Sequence, residues 1–266
     1  MTDQTKSPQL LLRVGLPLAV TWLLIGVSFL LPLIDSTRPP FFDLTDACAQ
    51  IAYWVSLSAT PYGAAAGAGL ILLVLITRSG IDNRRRWTEV WVIVITAVVF
   101  AGGGSSMNER LLKEELRIPR PNVIWLAGEN GSGPLGMTPQ QFYRSGDKAA
   151  RSEVLKKVLN QEPTSVALSE RIERHWIAET GYSFPSGHSF GAMFFATFLM
   201  MIGASYIGGK RLWFFYPLLP WALAVCYSRS ILRLHTPTDI TVGSLQGIAV
   251  GLIAYFVARQ LISRGS

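Results

Sequence analysis

The chain has 266 residues and a formal net charge of +7; half of its residues are hydrophobic and only 15% are charged. Ordinary soluble domains carry about 25% charged residues, and the mean hydropathy of this chain is +0.33. This composition excludes a disordered chain and a soluble enzyme with a charged surface. The two cysteines, Cys48 and Cys226, lie far apart, which excludes a small disulfide-stabilised scaffold.

Six apolar runs approach the roughly 20 residues that a helix needs to cross a bilayer. The runs are Val14–Ile34, Thr60–Thr77, Trp87–Gly104, Ser189–Ile207, Leu212–Tyr227 and Ile240–Val257. Any single run also fits a buried core helix, and the second is the weakest because small residues fill its start. Six runs separated by polar breaks favour an all-α integral membrane protein with six transmembrane helices.

The basic residues of the short loops predict the orientation of the spans. Arg84, Arg85 and Arg86 precede the third run, Lys210 and Arg211 precede the fifth, and further arginines follow the sixth. Because short cytoplasmic loops are rich in lysine and arginine, we expect that side and both termini to be cytoplasmic. The first run has no signal-peptidase site after it, so we expect it to be retained.

The polar segment between the third and fourth runs predicts a domain outside the membrane. We therefore divide the chain into residues 1–107 with three spans, residues 108–183 as an inserted periplasmic helical domain, and residues 184–266 with the last three spans. Within the first part, apolar residues near 41–57 recur at helical spacing. They predict a helix lying on the membrane surface or an extension of the second span.

A first polar cluster follows the third span. Lys113 and Arg120 are seven residues apart, and Pro119 and Pro121 should hold Arg120 in an extended segment after a helix ends. An ammonium and a planar guanidinium together suit the oxygens of one phosphate. The alternative is a solvated basic helix end.

A second cluster, Pro185-Ser186-Gly187-His188, immediately precedes the fourth span. Ser186 is a natural N-cap, and Gly187 lets a ligand approach the backbone. Free N–H groups at a helix start suit a phosphate, with His188 beside it. The alternative is an ordinary capped helix start.

A third cluster joins the fifth and sixth spans. It contains Arg229, His235 and Asp239, and the last two are four residues apart. A carboxylate on Nδ1–H of a histidine leaves Nε2 free as a nucleophile. Asp239 also fits a capping box with Thr236, so a purely structural role is the alternative.

All three clusters fall at the same predicted membrane face, where they describe a phosphate-binding cage with a nucleophile and an acid. The remaining histidine, His175, is next to Trp176. Packing against that tryptophan and contact with a lipid headgroup are its two interpretations, and we favour packing.

At these residues the sequence resembles the type-2 phosphatidic acid phosphatase superfamily. Its signatures K-x6-R-P, P-S-G-H and S-R-x5-H-x3-D are present in order at Lys113–Pro121, Pro185–His188 and Ser228–Asp239. Residues 119–126 and 175–188 extend the similarity to bacterial members. The resemblance implies a periplasm-facing site in the inner membrane, with no metal or other cofactor.

The resemblance also assigns roles by motif position. It implies His235 as nucleophile, His188 as general acid and Asp239 as the residue that orients His235. The implied phosphate ligands are Lys113, Arg120, Ser186, Gly187 and Arg229. The implied substrates are phosphatidylglycerophosphate, phosphatidic acid, lysophosphatidic acid and undecaprenyl pyrophosphate.

Two alternatives stay open at this point. A lipid phosphotransferase would use the same residues and pass the phosphoryl group to a lipid acceptor. A non-enzymatic carrier of lipid phosphates would need the cations but not the His235–Asp239 pair. In each case we expect the partners to be the bilayer and a lipid phosphate, with no nucleic acid and no obligate protein partner.

Overall fold

The computed structural model describes residues 11–31, 43–60, 68–69, 72–78, 80–161, 167–207 and 209–264. Within these ranges the regular secondary structure is helical, apart from an isolated bridge between Leu44 and Leu168. The helices are α1 (Leu16–Gly26), α2 (Ala47–Ser58), α3 (Asn83–Met107), α4 (Lys113–Leu116), α5 (Pro121–Ala127), α6 (Pro139–Arg144), α7 (Lys148–Gln161), α8 (Glu170–Ala178), α9 (Gly187–Tyr206), α10 (Leu218–Ile231) and α11 (Pro237–Arg264). The fold is therefore all-α over the described ranges, as the sequence predicts.

Four helical stretches of the described chain are long and apolar enough to cross a membrane. They are Leu12–Phe29, Asn83–Ala127, Gly187–Tyr206 and Pro237–Arg264. They coincide with the first, third, fourth and sixth predicted spans. The first predicted span continues to residue 34, and its last three residues lie outside the described ranges.

The other two predicted spans are not matched by such a stretch. In the second predicted span, residues 60–77, residues 61–67 and 70–71 lie outside the described ranges. Residues 68–69 and 72–76 of this span are helical. At the fifth, a 3-10 turn Gly209–Phe214 precedes α10, which has 14 residues. A span needs about 20 residues, so the six-span arrangement remains a prediction.

Large apolar side chains on α1 and α3 lie exposed, as expected for helices that face lipid. Leu23 is 62% exposed on α1, and Trp91 and Val98 are 59% and 66% exposed on α3. A soluble protein rarely exposes such continuous apolar faces. These faces support the membrane assignment.

Close packing of α11 on α9 brings the two predicted catalytic segments together. A Cβ atom on Gly243 would lie 2.5 Å from the Ser186 carbonyl oxygen, and one on Gly247 would lie 2.4 Å from that of Phe190. Only glycine allows this approach. The first turn of α11 consequently lies beside the first turn of α9, and Ser186 N donates to the Asp239 carbonyl at 3.1 Å.

Helices α5 to α8 share an apolar core. Leu126, Phe142, Leu155 and Trp176 contribute from α5 to α8, and Leu234 contributes from the loop before α11. Buried residues of α2 also join this core. The helix predicted near residues 41–57 is thus present as α2, with residues 41–42 outside the description, and one of its faces is covered by protein. Its other face exposes Ile51 and Trp54.

Candidate active site

His235 and Asp239 meet at the start of α11. Asp239 Oδ2 lies 3.4 Å from His235 Nδ1, and both residues are 1% exposed. Asp239 Oδ2 also accepts from Thr236 N at 2.8 Å, while Asp239 N donates to Thr236 Oγ1 at 3.2 Å. The two interpretations of Asp239, a helix cap and a partner of His235, therefore hold together.

The other nitrogen of His235 faces a cation. His235 Nε2 lies 3.5 Å from Arg120 Nη1. Burial lowers the pKa of His235 well below its ordinary value; Asp239 opposes this shift, and Arg120 and Arg229 add to it. The imidazole is therefore neutral at physiological pH. The tautomer with its proton on Nδ1 directs that proton to Asp239 and leaves a lone pair on Nε2, beside Arg120.

Ser183 is a partner of Asp239 that the sequence analysis missed. Its hydroxyl donates a hydrogen bond to Asp239 Oδ2 and lies 3.4 Å from His235 Nδ1. It comes just before the Pro185–His188 motif, so the loop leading into α9 also holds the carboxylate of α11. Nothing in its type or spacing marked it in the sequence.

Arg120 lies in the extended segment that its flanking prolines predict. Helix α4 ends at Leu116, Arg117 has a left-handed φ of 50°, and Arg120 is the extended N-cap of α5. Arg120 N donates to Tyr143 Oη at 3.1 Å, and its Nε donates to the Gly181 carbonyl at 2.8 Å. These contacts hold a guanidinium that is only 2% exposed.

Arg229, in the last turn of α10, is fully buried and is hydrogen-bonded to three side chains. Its Nη1 donates to Ser56 Oγ on α2 at 2.5 Å and to His175 Nε2 on α8 at 3.1 Å. Its Nη2 donates to Glu179 Oε1 at 3.1 Å. His175 is therefore a packed residue, but it packs against an arginine of the site and edge-on against Tyr53.

Glu179 joins the two arginines. One of its oxygens lies 2.8 Å from Arg120 Nη2, and the other is bonded to Arg229. Burial alone would raise the pKa of the Glu179 carboxyl, but Arg229 and Arg120 hold it well below its usual range. Glu179 was not predicted from the sequence, because cations and histidines are the residues expected around a phosphate, and Glu179 carries a negative charge.

Lys113 is buried, with 4% exposure, and its Nζ forms an ion pair with Glu109 one turn earlier. The second oxygen of Glu109 binds Lys148 Nζ at 2.8 Å. The four cations Lys113, Lys148, Arg120 and Arg229 are thus joined in two pairs, each through one carboxylate.

The second predicted cluster forms the first turn of α9. Ser186 is its N-cap, and Ser186 Oγ accepts from Ser189 N at 3.3 Å. A Cβ atom on Gly187 would meet nothing within 4 Å, so the backbone is open on that side. His188 follows, half-buried and within electrostatic range of Arg229, Glu179 and His235.

The structure thus brings the eight predicted site residues together at the starts of α9 and α11. Lys113, which is ion-paired with Glu109, is within electrostatic range of Arg120 and Glu179. No group of three or more His, Cys, Asp or Glu that could hold a metal ion occurs in the described part of the chain. The positive charge and the hydrogen-bond donors of the site come from lysine, arginine and backbone N–H groups.

Comparison with known proteins defines the class to which this fold and site belong. The profile of the PAP2 superfamily matches residues 88–262, which is more than half of the chain. The protein belongs to the PAP2 superfamily, the type-2 phosphatidic acid phosphatases, and is a phosphoric monoester hydrolase. This result confirms the resemblance seen in the three motifs.

Several individual phosphatases are similar to this chain in sequence. Phosphatidylglycerophosphatase B of Haemophilus influenzae is 30% identical over 223 residues, which cover 80% of this chain and 85% of the relative. Phosphatidylglycerophosphatase B of Escherichia coli is 29% identical over 168 residues, 63% of this chain and 60% of the relative. Lipid A 4'-phosphatase of Bacteroides thetaiotaomicron is 31% identical over 84 residues, 32% of this chain and 35% of the relative.

Proposed function

We propose that the protein hydrolyses phosphate from membrane lipids, of the phosphatidylglycerophosphate, phosphatidic acid or undecaprenyl pyrophosphate type, through a phosphohistidine at His235. The observation that carries the proposal is the placement of the two His235 nitrogens. Nδ1 lies 3.4 Å from Asp239, and Nε2 lies 3.5 Å from the cation Arg120. A neutral nucleophile is therefore aimed at a position suited to phosphate. The names of the relatives favour a lipid as the phosphate carrier.

In the first step, His235 Nε2 attacks phosphorus in line with the leaving oxygen, and the phosphorus–oxygen bond to the lipid breaks. His188 donates a proton to that oxygen. The ring of His235 gains positive charge, which the Asp239 carboxylate stabilises through Nδ1–H. In-line geometry and fixed opposite charges supply most of the rate enhancement in such transfers.

In the second step, water attacks the phosphohistidine and His188 now accepts the proton. The proposed phosphate ligands are Lys113, Arg120, Ser186, Gly187 and Arg229. Glu179 contacts one guanidinium nitrogen of Arg120 and one of Arg229, so its carboxylate competes with phosphate for these two cations.

The proposed setting is the bacterial inner membrane. We place both termini in the cytoplasm and the active site, with residues 108–183, on the periplasmic side; six spans divide between residues 1–107 and 184–266. The lipid-facing helices α1 and α3 and the position of His188 at the start of α9 support a reacting phosphorus at headgroup depth. The acyl or prenyl chain then lies along the helices, where burial contributes about 0.8 kcal/mol per CH₂.

The test is phosphate release by purified protein in detergent micelles from a panel of lipid phosphates, with glycerol 3-phosphate as the soluble reference. We expect release of free phosphate from the lipids, with kcat/KM at least about a hundredfold above that for the soluble ester, because the ester lacks the chain. Comparable kcat/KM values would contradict recognition of the lipid. Transfer of the phosphoryl group to a lipid acceptor without free phosphate would contradict hydrolysis.

A further inference from the structure

Lys148 is a cation beside the site that belongs to none of the three motifs. It begins α7, and its ammonium group lies 2.8 Å from Glu109 Oε2 with 60% of the side chain exposed. The opposite oxygen of Glu109 holds the buried Lys113. Lys148 is therefore linked through Glu109 to Lys113, a residue of the site, and is the more exposed of the two lysines.

The Lys148 side chain also lies against the wall of the site. Its Nζ is 3.5 Å from the position that a Cβ atom of Gly181 would occupy. The carbonyl oxygen of Gly181 accepts the hydrogen bond from Arg120 Nε at 2.8 Å. Thr180 Oγ1, in turn, donates to the carbonyl of Lys148 at 3.0 Å. The segment that fixes Arg120 thus also fixes the base of Lys148 at the rim of the site.

Glu109 brings the two ammonium groups to one carboxylate. One of its oxygens contacts the buried Lys113, and the other contacts the exposed Lys148. In the proposed reaction Lys113 binds the reacting phosphate, so a second phosphate on the leaving lipid comes within reach of Lys148.

Resting on the proposed lipid-phosphate hydrolysis, we infer that Lys148 binds a second phosphate group of the lipid, the one that stays on the leaving group. A compact ammonium on a flexible stem can turn from Glu109 to such a phosphate without disturbing Lys113. In a diphosphate lipid this group shares one bridging oxygen with the reacting phosphorus. In phosphatidylglycerophosphate a glycerol unit separates the two phosphates, and a lipid monophosphate has only one.

The experiment compares Lys148→Ala with wild type on farnesyl diphosphate, farnesyl monophosphate and phosphatidylglycerophosphate. Loss of one charge-assisted hydrogen bond should reduce kcat/KM about tenfold for a substrate with a second phosphate. The value for farnesyl monophosphate should stay within about twofold. A loss with farnesyl diphosphate identifies the directly attached phosphate as the ligand, and a loss with phosphatidylglycerophosphate identifies the diester phosphate. Lys157→Ala, which replaces an exposed lysine on the same helix, is the matched control. It should leave kcat/KM unchanged for all three substrates.

A binding measurement tests the role of Lys148 independently of lipid hydrolysis. Inorganic pyrophosphate and inorganic phosphate are titrated into both proteins by calorimetry, which requires no turnover. Lys148→Ala should weaken pyrophosphate binding about tenfold and leave phosphate binding unchanged. Equal effects on the two anions, or equal effects on all three lipids, would overturn the role of Lys148. Absence of lipid turnover in wild type would overturn the proposed function alone.

Discussion

Glu179 accepts a hydrogen bond from Arg229 at 3.1 Å, and Arg229 is fully buried. Its second oxygen lies 2.8 Å from Arg120 Nη2. A carboxylate held by two arginines has the geometry with which these residues bind phosphate oxygens. In the proposed reaction Glu179 therefore competes with the substrate and with the phosphate product for the same cations.

Glu179→Gln is expected to strengthen inhibition by inorganic phosphate about tenfold, because the substitution removes a negative charge that stays ionised in the site. The inhibition constant is measured against a lipid phosphate substrate. Glu170→Gln, an exposed position at the start of α8, the helix that Glu179 directly follows, is the control and should leave the inhibition constant unchanged. Unchanged or weaker phosphate inhibition in a folded Glu179→Gln protein would refute the competition.

The histidines of the site predict a loss of stability in acid. Burial, followed by the charge of Arg229, lowers the pKa of His175 from 6.5 to about 4. Between these values the unfolded chain binds more protons than the folded chain, so the free energy of unfolding falls as pH falls from about 6.5 towards 4. His235 shifts in the same direction.

We expect the thermal unfolding midpoint in detergent to be level above pH 7 and to fall below pH 6.5. His175→Gln keeps an acceptor for Arg229 but cannot titrate, so its midpoint should fall less steeply with pH. Identical pH slopes for the variant and wild type would show that His175 does not contribute.

Catalysis is expected to be independent of divalent cations and sensitive to vanadate. Lysine, arginine and backbone donors supply the positive charge, and vanadate can adopt a trigonal bipyramid with His235 Nε2 as an apical ligand. Activity is measured after EDTA treatment and in a vanadate titration, and vanadate binding should be lost in His235→Ala. A strict requirement for magnesium or zinc would contradict this interpretation of the site.

The orientation is tested by labelling single cysteines in intact cells, in a background where Cys48 and Cys226 are replaced by serine. Residue 157, in the outer domain, should react with an impermeant thiol reagent. Residue 84, in the arginine-rich loop, should react only after the cells are opened. Reaction at residue 84 but not at residue 157 in intact cells would invert the proposed topology.

The sequence could predict those features that depend on local rules. Apolar length predicted four of the long helices, the prolines around Arg120 predicted its extended segment, and Ser186 and Thr236 were recognisable as caps. Each of these depends on residues within a few positions of one another. The three motifs also identified the superfamily.

The contacts that complete the site depend on tertiary packing and were not predictable in this way. Ser56 reaches Arg229 only because α2 packs on α10, and His175 and Glu179 reach it from α8. Ser183 approaches Asp239 because glycines of α11 let α9 come close. The spacing of residues within one segment does not indicate which other helix that segment will contact.

Rapid-quench trapping shows whether His235 carries the phosphoryl group during turnover. Wild type and His235→Ala are mixed with a lipid phosphate labelled with ³²P at the scissile phosphate, quenched in base, digested, and analysed for the labelled peptide. An acid-labile, base-stable phosphate is expected on residue 235 in wild type and none in a folded His235→Ala protein, which should also lack turnover. Label on another residue, or full turnover in His235→Ala, would rule out a phosphohistidine at residue 235.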